Sequence, residues 1–116
     1  MLDTGYIQDK IRQFAQEREW EKFHTPKNIA MALTVEAAEL MEQFQWLDSD
    51  EAKNVMQTPK GEAVRQEVAD VAVYLLRLCD LLQIDLQTAI EHKMKLNAEK
   101  YPVELSRGHA RKYDEL

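Results

Sequence analysis

At 116 residues, with 45% apolar and 31% charged side chains, the chain has length for one core and the balance of a folded protein rather than a disordered one. Its net charge of −6 argues against nucleic acid as the main partner, because that binding rests on clustered Lys and Arg. No apolar run approaches the roughly 20 residues of a membrane helix. Nor does Met1–Gly5 show a basic segment leading into an apolar one, so neither a membrane span nor a signal peptide is expected. The single cysteine, Cys79, lies in an apolar stretch and is expected to be a reduced core residue of a cytoplasmic protein.

Three glycines and three prolines leave long stretches free of helix breakers, and these are rich in Ala, Leu, Glu, Gln, Lys and Met. No β-branched alternation is long enough for a strand. The chain therefore reads as all-α and as a single domain, residues 1–116. A first helix is predicted over about Tyr6–Trp20, from Ile7, Ile11, Phe14 and Ala15 at 3–4 spacing. Thr25 is a good N-cap and Pro26 suits the first helical position, starting a second helix that runs to about Trp46. Leu47–Lys60 is polar and reads as a connection with a short helix near Glu51–Met56. A third helix is predicted over Glu62–Leu82. Asp85 can cap a fourth over Leu86–Lys100, which Tyr101-Pro102 ends. The tail from Val103 to Leu116 reads as irregular.

The third helix is apolar nearly all round, from Val68 to Leu76, and so is expected to be buried on most sides. Four helices in a chain this short offer little to surround it. The reading is thus a four-helix bundle completed by a second copy of the chain, as a homodimer or homotetramer.

Asp70 stands inside this apolar run, where an ionised carboxylate is costly unless paired. Glu67, three residues earlier, shares its helix face. The second helix repeats the pattern, with Glu36 and Glu39 enclosing Ala37-Ala38 among apolar neighbours. If the two helices lie antiparallel, four carboxylates converge. They would raise one another's pKa, and an all-oxygen cluster suits Mg²⁺ or Mn²⁺. One such pair is ordinary on a solvated helix face. Two pairs in the most apolar parts of two helices make metal binding a serious alternative, and spacing takes the matter no further. A ferritin-like di-iron site would need Glu-x-x-His on two helices, and Glu21 with His24 is the lone match. Three scattered glycines cannot build a phosphate loop.

These elements resemble a known family. Trp20-Glu21-Lys22-Phe23-His24-Thr25-Pro26-Lys27-Asn28, Glu36-Ala37-Ala38-Glu39-Leu40 and Phe44-Gln45-Trp46 are similar to the MazG-like all-α NTP pyrophosphohydrolases, nearest the small dCTP pyrophosphatases. Glu67-Val68-Ala69-Asp70 with Tyr74, then Lys93–Asn97, Lys100-Tyr101-Pro102 and Lys112-Tyr113, continue the match in the same order, over about Arg12 to Tyr113. The resemblance implies that Glu36, Glu39, Glu67 and Asp70 are catalytic metal ligands for Mg²⁺. It implies that Trp20, His24, Trp46 and Tyr74 hold the base and sugar, and that Lys93, Asn97 and Lys100 contact the triphosphate. The implied reaction converts a nucleoside triphosphate, dCTP or a related or modified deoxynucleotide, to its monophosphate and pyrophosphate. No histidine stands near Ile11, where some dCTP-specific members carry one. The rival reading is a non-catalytic helical dimerisation or regulatory module.

Overall fold

A computed structural model describes residues 1–116. It is all-helical, with no strand: α1 (Thr4–Glu17), α2 (Pro26–Glu42), α3 (Ser49–Lys53), α4 (Gly61–Leu82), α5 (Leu86–Lys100) and α6 (Val103–Ser106), plus three short 3₁₀ turns. No helix is long and apolar enough to cross a membrane. The chain forms two compact units, Met1–Gln83 and Ile84–Leu116. The first unit holds three long helices rather than four, since α5 belongs to the second.

Side-chain caps start α2 and α5 where the sequence places them, whereas α1 begins two residues earlier than predicted, behind Asp3, and the short helix near Glu51–Met56 lies instead at Ser49–Lys53. The Asn28 amide donates to Thr25 Oγ1 (3.2 Å) with Pro26 behind it, and the Thr88 amide donates to Asp85 Oδ1 (3.1 Å). At α3 the cap is reciprocal. The Glu51 amide donates to Asp48 Oδ1 (2.8 Å), and the Asp48 amide to Glu51 Oε1 (3.1 Å), a capping box that satisfies both orphan donors.

Helix ends are where sequence and structure part. The first helix is predicted to reach Trp20, yet α1 stops at Glu17. Glu19 takes a left-handed conformation, φ 54°. The Trp20 amide then donates to Ala15 O (2.9 Å) and the Glu19 amide to Gln16 O (3.1 Å). That is a Schellman motif with glutamate in the place usually held by glycine. It lifts Trp20 out of the helical path. Gln83, φ 56°, closes α4 in the same conformation, so a boundary forms without glycine or proline. The helix predicted to reach Trp46 ends at Glu42, and tighter turns carry the chain from Gln43 to Leu47. In the tail, a helical turn (α6) and a 3₁₀ turn at Tyr113–Glu115 replace the expected irregular chain.

In the first unit α4 is central, packing chiefly on α2 and also on α1. Ala15, Ile29, Val55, Val64, Leu76 and Cys79 form a small core, and Cys79 is a buried free thiol whose pKa is pushed up by burial. Gly61 opens α4 against the chain before it: a Cβ there would lie 2.9 Å from Met56 O and 3.1 Å from Met56 Cα. The middle of α4 is not buried on most sides in the single chain. Val68 is 51% exposed, and Ala69, Asp70, Ala72 and Val73 are exposed as well. Two neighbouring helices cannot enclose a helix that is apolar all round.

In the second unit, Tyr101 and Tyr113 meet edge to face with ring centroids 6.3 Å apart, and Lys100 Nζ sits 4.8 Å from the Tyr113 centroid. Lys93, Asn97 and Lys100 fall at i, i+4 and i+7 on one face of α5.

Candidate functional site

Packing of α2 on α4 brings the acidic elements together. One carboxylate oxygen from each of Glu36, Glu67 and Asp70 can be chosen so that all lie within 4.8 Å of one another. Glu36 and Glu67 are half-buried, and each has a buried Oε2 with no hydrogen-bond partner. Burial first, then hydrogen bonding and charge from Glu39, then the charge of Asp70, push the Glu36 pKa up to about 7. Glu67 is raised too, by burial and then by the charge of Glu39. Glu39 therefore acts on the cluster, although its oxygens lie outside the closest set. Asp70 is exposed in the single chain, which corrects the expectation that it has no wet face. The reason is again the unenclosed middle of α4.

Two buried carboxylate oxygens without donors are an unusual cost, because such atoms nearly always find partners. Neither Lys nor Arg reaches the cluster by an ion pair; Arg12, Arg18, Arg65 and Arg77 pair with other acids. Hard oxygen donors, converging and short of positive charge, fit a divalent cation such as Mg²⁺ or Mn²⁺.

Beside the cluster lies a cavity of about 450 Å³, lined by Ile7, Lys10, Ile11, Phe14, Trp20, His24, Asp70, Val73, Tyr74 and Arg77. Trp20, His24 and Tyr74 thus line one cavity. Trp20 is braced edge to face by Phe14 (centroids 5.7 Å apart), and its centroid lies 6.5 Å from that of His24. The Tyr74 pKa is raised by burial and then by the charges of Glu36, Asp70 and Glu39. Trp46 is not among the lining residues and is 83% exposed. The turn that ends α2 carries it away.

Sequence reasoning missed Arg77. It is 6% exposed, the one buried charged side chain. Its Nε donates to His24 Nδ1 (3.1 Å) and its Nη1 to Asp80 Oδ2 (3.3 Å). Asp80 is also held by Arg12, whose Nε and Nη2 donate to Asp80 Oδ2 and Oδ1 (2.7 and 3.3 Å). Arg77 alone in an apolar run was the available signal, of the same kind that singled out Asp70. Lys10, Ile7, Ile11 and Phe14 could be assigned to the cavity only once α1 was seen to lie on α4.

Known proteins resemble this chain in sequence and in fold. The profile of the MazG-like family matches residues 31–116. The chain is 43% identical over 105 residues to dCTP pyrophosphatase 1 of Rattus norvegicus and 41% identical to that of Homo sapiens, in each case over 90% of this chain and 62% of the relative. It thus spans about three-fifths of the length of these relatives. Among solved structures, a pyrophosphatase from Archaeoglobus fulgidus DSM 4304 superposes with a TM-score of 0.75 at 48% identity, covering 81% of this chain and 87% of that one. In profile, in sequence over nine-tenths of its length and in fold, the chain belongs to the MazG-like family.

Proposed function

We propose that the chain is a nucleoside triphosphate pyrophosphohydrolase, which cleaves dCTP or a related or modified deoxynucleotide to the monophosphate and pyrophosphate, with a role in nucleotide-pool control. The names of its relatives support the reaction. The observation that carries it is the double membership of Asp70, which both lines the aromatic cavity and belongs to the acidic cluster. A base stacked on Trp20 would therefore have its phosphates directed towards carboxylates. Two anions brought together in this way repel unless a cation stands between them.

Glu36, Glu67 and Asp70 would hold Mg²⁺ or Mn²⁺, with Glu39 beside them. When bound, such an ion supplies charge neutralisation and Lewis-acid polarisation of the phosphoryl group. The chain's own groups do the rest. Trp20 offers a stacking face, worth about 1–3 kcal/mol per base whatever its identity. Tyr74, its proton held tightly, is a hydrogen-bond donor between cavity and cluster. Glu39, outside the closest set of oxygens, is our candidate for orienting the attacking water. Lys93, Asn97 and Lys100 are the proposed triphosphate contacts, with compact ammonium charges suited to phosphate oxygens.

The apolar middle of α4 further supports a homo-oligomer, dimer or tetramer, in which a second copy completes the bundle.

The test is product analysis. Incubation of dCTP with the protein and Mg²⁺ should give dCMP and pyrophosphate by chromatography; dCDP and orthophosphate would mean that another bond is cut. Calorimetry with Mg²⁺ and a non-hydrolysable nucleotide separates this reading from a scaffold, which should bind neither.

A further inference from the structure

The end of the cavity two turns of α4 beyond Asp70 has a polarity of its own. Burying a guanidinium is costly unless its charge and N–H groups are matched. Arg77 is matched incompletely. Its carboxylate partner, Asp80, is shared with Arg12, and its second contact is the neutral acceptor His24 Nδ1. An ion pair that served only the fold would need Asp80 and would gain nothing from a place on a cavity wall.

The hydrogen bonds fix what that wall presents. Arg has donors and no acceptor, so His24 Nδ1 must accept, and the proton of the neutral imidazole is on Nε2. Burial and then the charge of Arg77 lower the His24 pKa, which keeps the ring in that neutral form. Nε and Nη1 of Arg77 are committed to His24 and Asp80, leaving Nη2 as the free arm of the fork. Asp80, whose two oxygens both accept from Arg12, holds the guanidinium plane in place. Lys10, also on the lining, adds a further donor-only group. This end of the cavity offers the N–H groups of Arg77, His24 and Lys10, while the lining carboxylate, Asp70, lies two turns back along α4.

We propose that Arg77, with His24 fixed beside it, is the specificity determinant of this cavity and selects a nucleobase edge that carries two adjacent acceptors. Cytosine offers such an edge in N3 and O2, and guanine in O6 and N7. Uracil and thymine place an N3–H donor between their carbonyls, and adenine alternates acceptor with amino donor. Against a donor-only wall those bases leave N–H facing N–H, with the polar groups of both sides unpaired. The proposal rests on the nucleotide reading above and adds to it the residue that reads the base.

The experiment measures binding of dCMP, dGMP, dUMP and dAMP by calorimetry to the metal-free protein in EDTA, so that turnover plays no part. The better of dCMP and dGMP should bind at least about tenfold tighter than dUMP and dAMP, because the wrong base leaves buried N–H groups unpaired; which of the two wins names the base. Arg77→Lys keeps the charge and much of the stem but loses the fork, and Arg77→Gln removes the charge. Both should bring the four affinities to within about threefold of one another, with circular dichroism confirming the helices. Equal binding of dUMP or dAMP by the wild-type protein, or preserved discrimination in folded Arg77→Lys, would overturn the proposal, as would no binding of any of the four. Pyrophosphate release from the matching triphosphates is followed in parallel. Discrimination that depends on Arg77 without release from any triphosphate would sink the catalytic reading and leave Arg77 in its role; release with discrimination indifferent to Arg77 would do the reverse.

Discussion

Glu36 on α2 and Glu67 on α4 meet across the helix interface, each keeping a buried Oε2 that no hydrogen bond reaches. Packing of two helices has produced an electrostatic defect, and a defect held by a folded chain marks a place where something is meant to bind.

Its pH dependence has a definite sign. Glu36 titrates near 7 in the folded chain against an ordinary 4.5, so between those values the folded state holds a proton that the unfolded state has lost. Stability therefore falls as pH rises through that window. Thermal melts in EDTA should give a higher Tm at pH 5 than at pH 8. Added Mg²⁺ should restore Tm at pH 8 and do little at pH 5. A metal-free Tm that climbs from pH 5 to pH 8 would count against a strained cluster.

Charge removal within the cluster separates fold from function. Asp70 is exposed, and a substitution at such a position usually changes stability by no more than about 0.5 kcal/mol. Asp70→Asn should therefore melt like the wild type, yet lose turnover by about a hundredfold or more. Glu67→Gln should also lose activity while raising the metal-free Tm at pH 8, because it replaces an uncompensated carboxylate by a neutral group. Steady-state pyrophosphate release and melting curves check both; an active Asp70→Asn protein would remove that residue from the site.

Gly61 tests the packing that sets α4 in register. A methyl group there meets backbone at Met56, which cannot move aside as a flexible side chain would. Gly61→Ala should cost about 1–3 kcal/mol, even though alanine is the better helix former, and denaturant titration would show it as a lower midpoint. A stabilised Gly61→Ala protein would mean that the α4 start is looser than described.

The exposed middle of α4 predicts association. Light scattering should give at least a dimer mass, and Val68→Glu, placed in the exposed apolar stretch, should shift it towards monomer, since an unpaired charge in an apolar interface is costly. A wild-type monomer at micromolar concentration would rule out completion by a second copy.

Trp20 should contribute to substrate binding rather than to the chemical step. Trp20→Ala is expected to raise KM about tenfold, the lower part of the range for one lost stacking contact, with kcat changed less.

Much of this was legible in the sequence, because it depends on neighbours along one helix. Caps at Thr25 and Asp85, the all-α class and the two paired acidic elements each follow from residue type and spacing. Glu36 and Glu39, like Glu67 and Asp70, fall on one helix face whatever surrounds them. Family likeness placed Trp20, His24 and Tyr74 together, and the cavity brings them together. Tertiary structure alone decided the rest. Glu19 and Gln83 turn left-handed without glycine, so Trp20 leaves α1 and α4 ends where no breaker stands. Trp46 is carried off by the tighter turns that end α2. Asp70, costly inside a string of apolar letters, is exposed because burial depends on how many elements surround a helix, and here too few do. Arg77 gained His24 only when the segment after α1 folded onto α4, since that contact crosses from one element to another, whereas Asp80, three residues on, is a partner within its own helix.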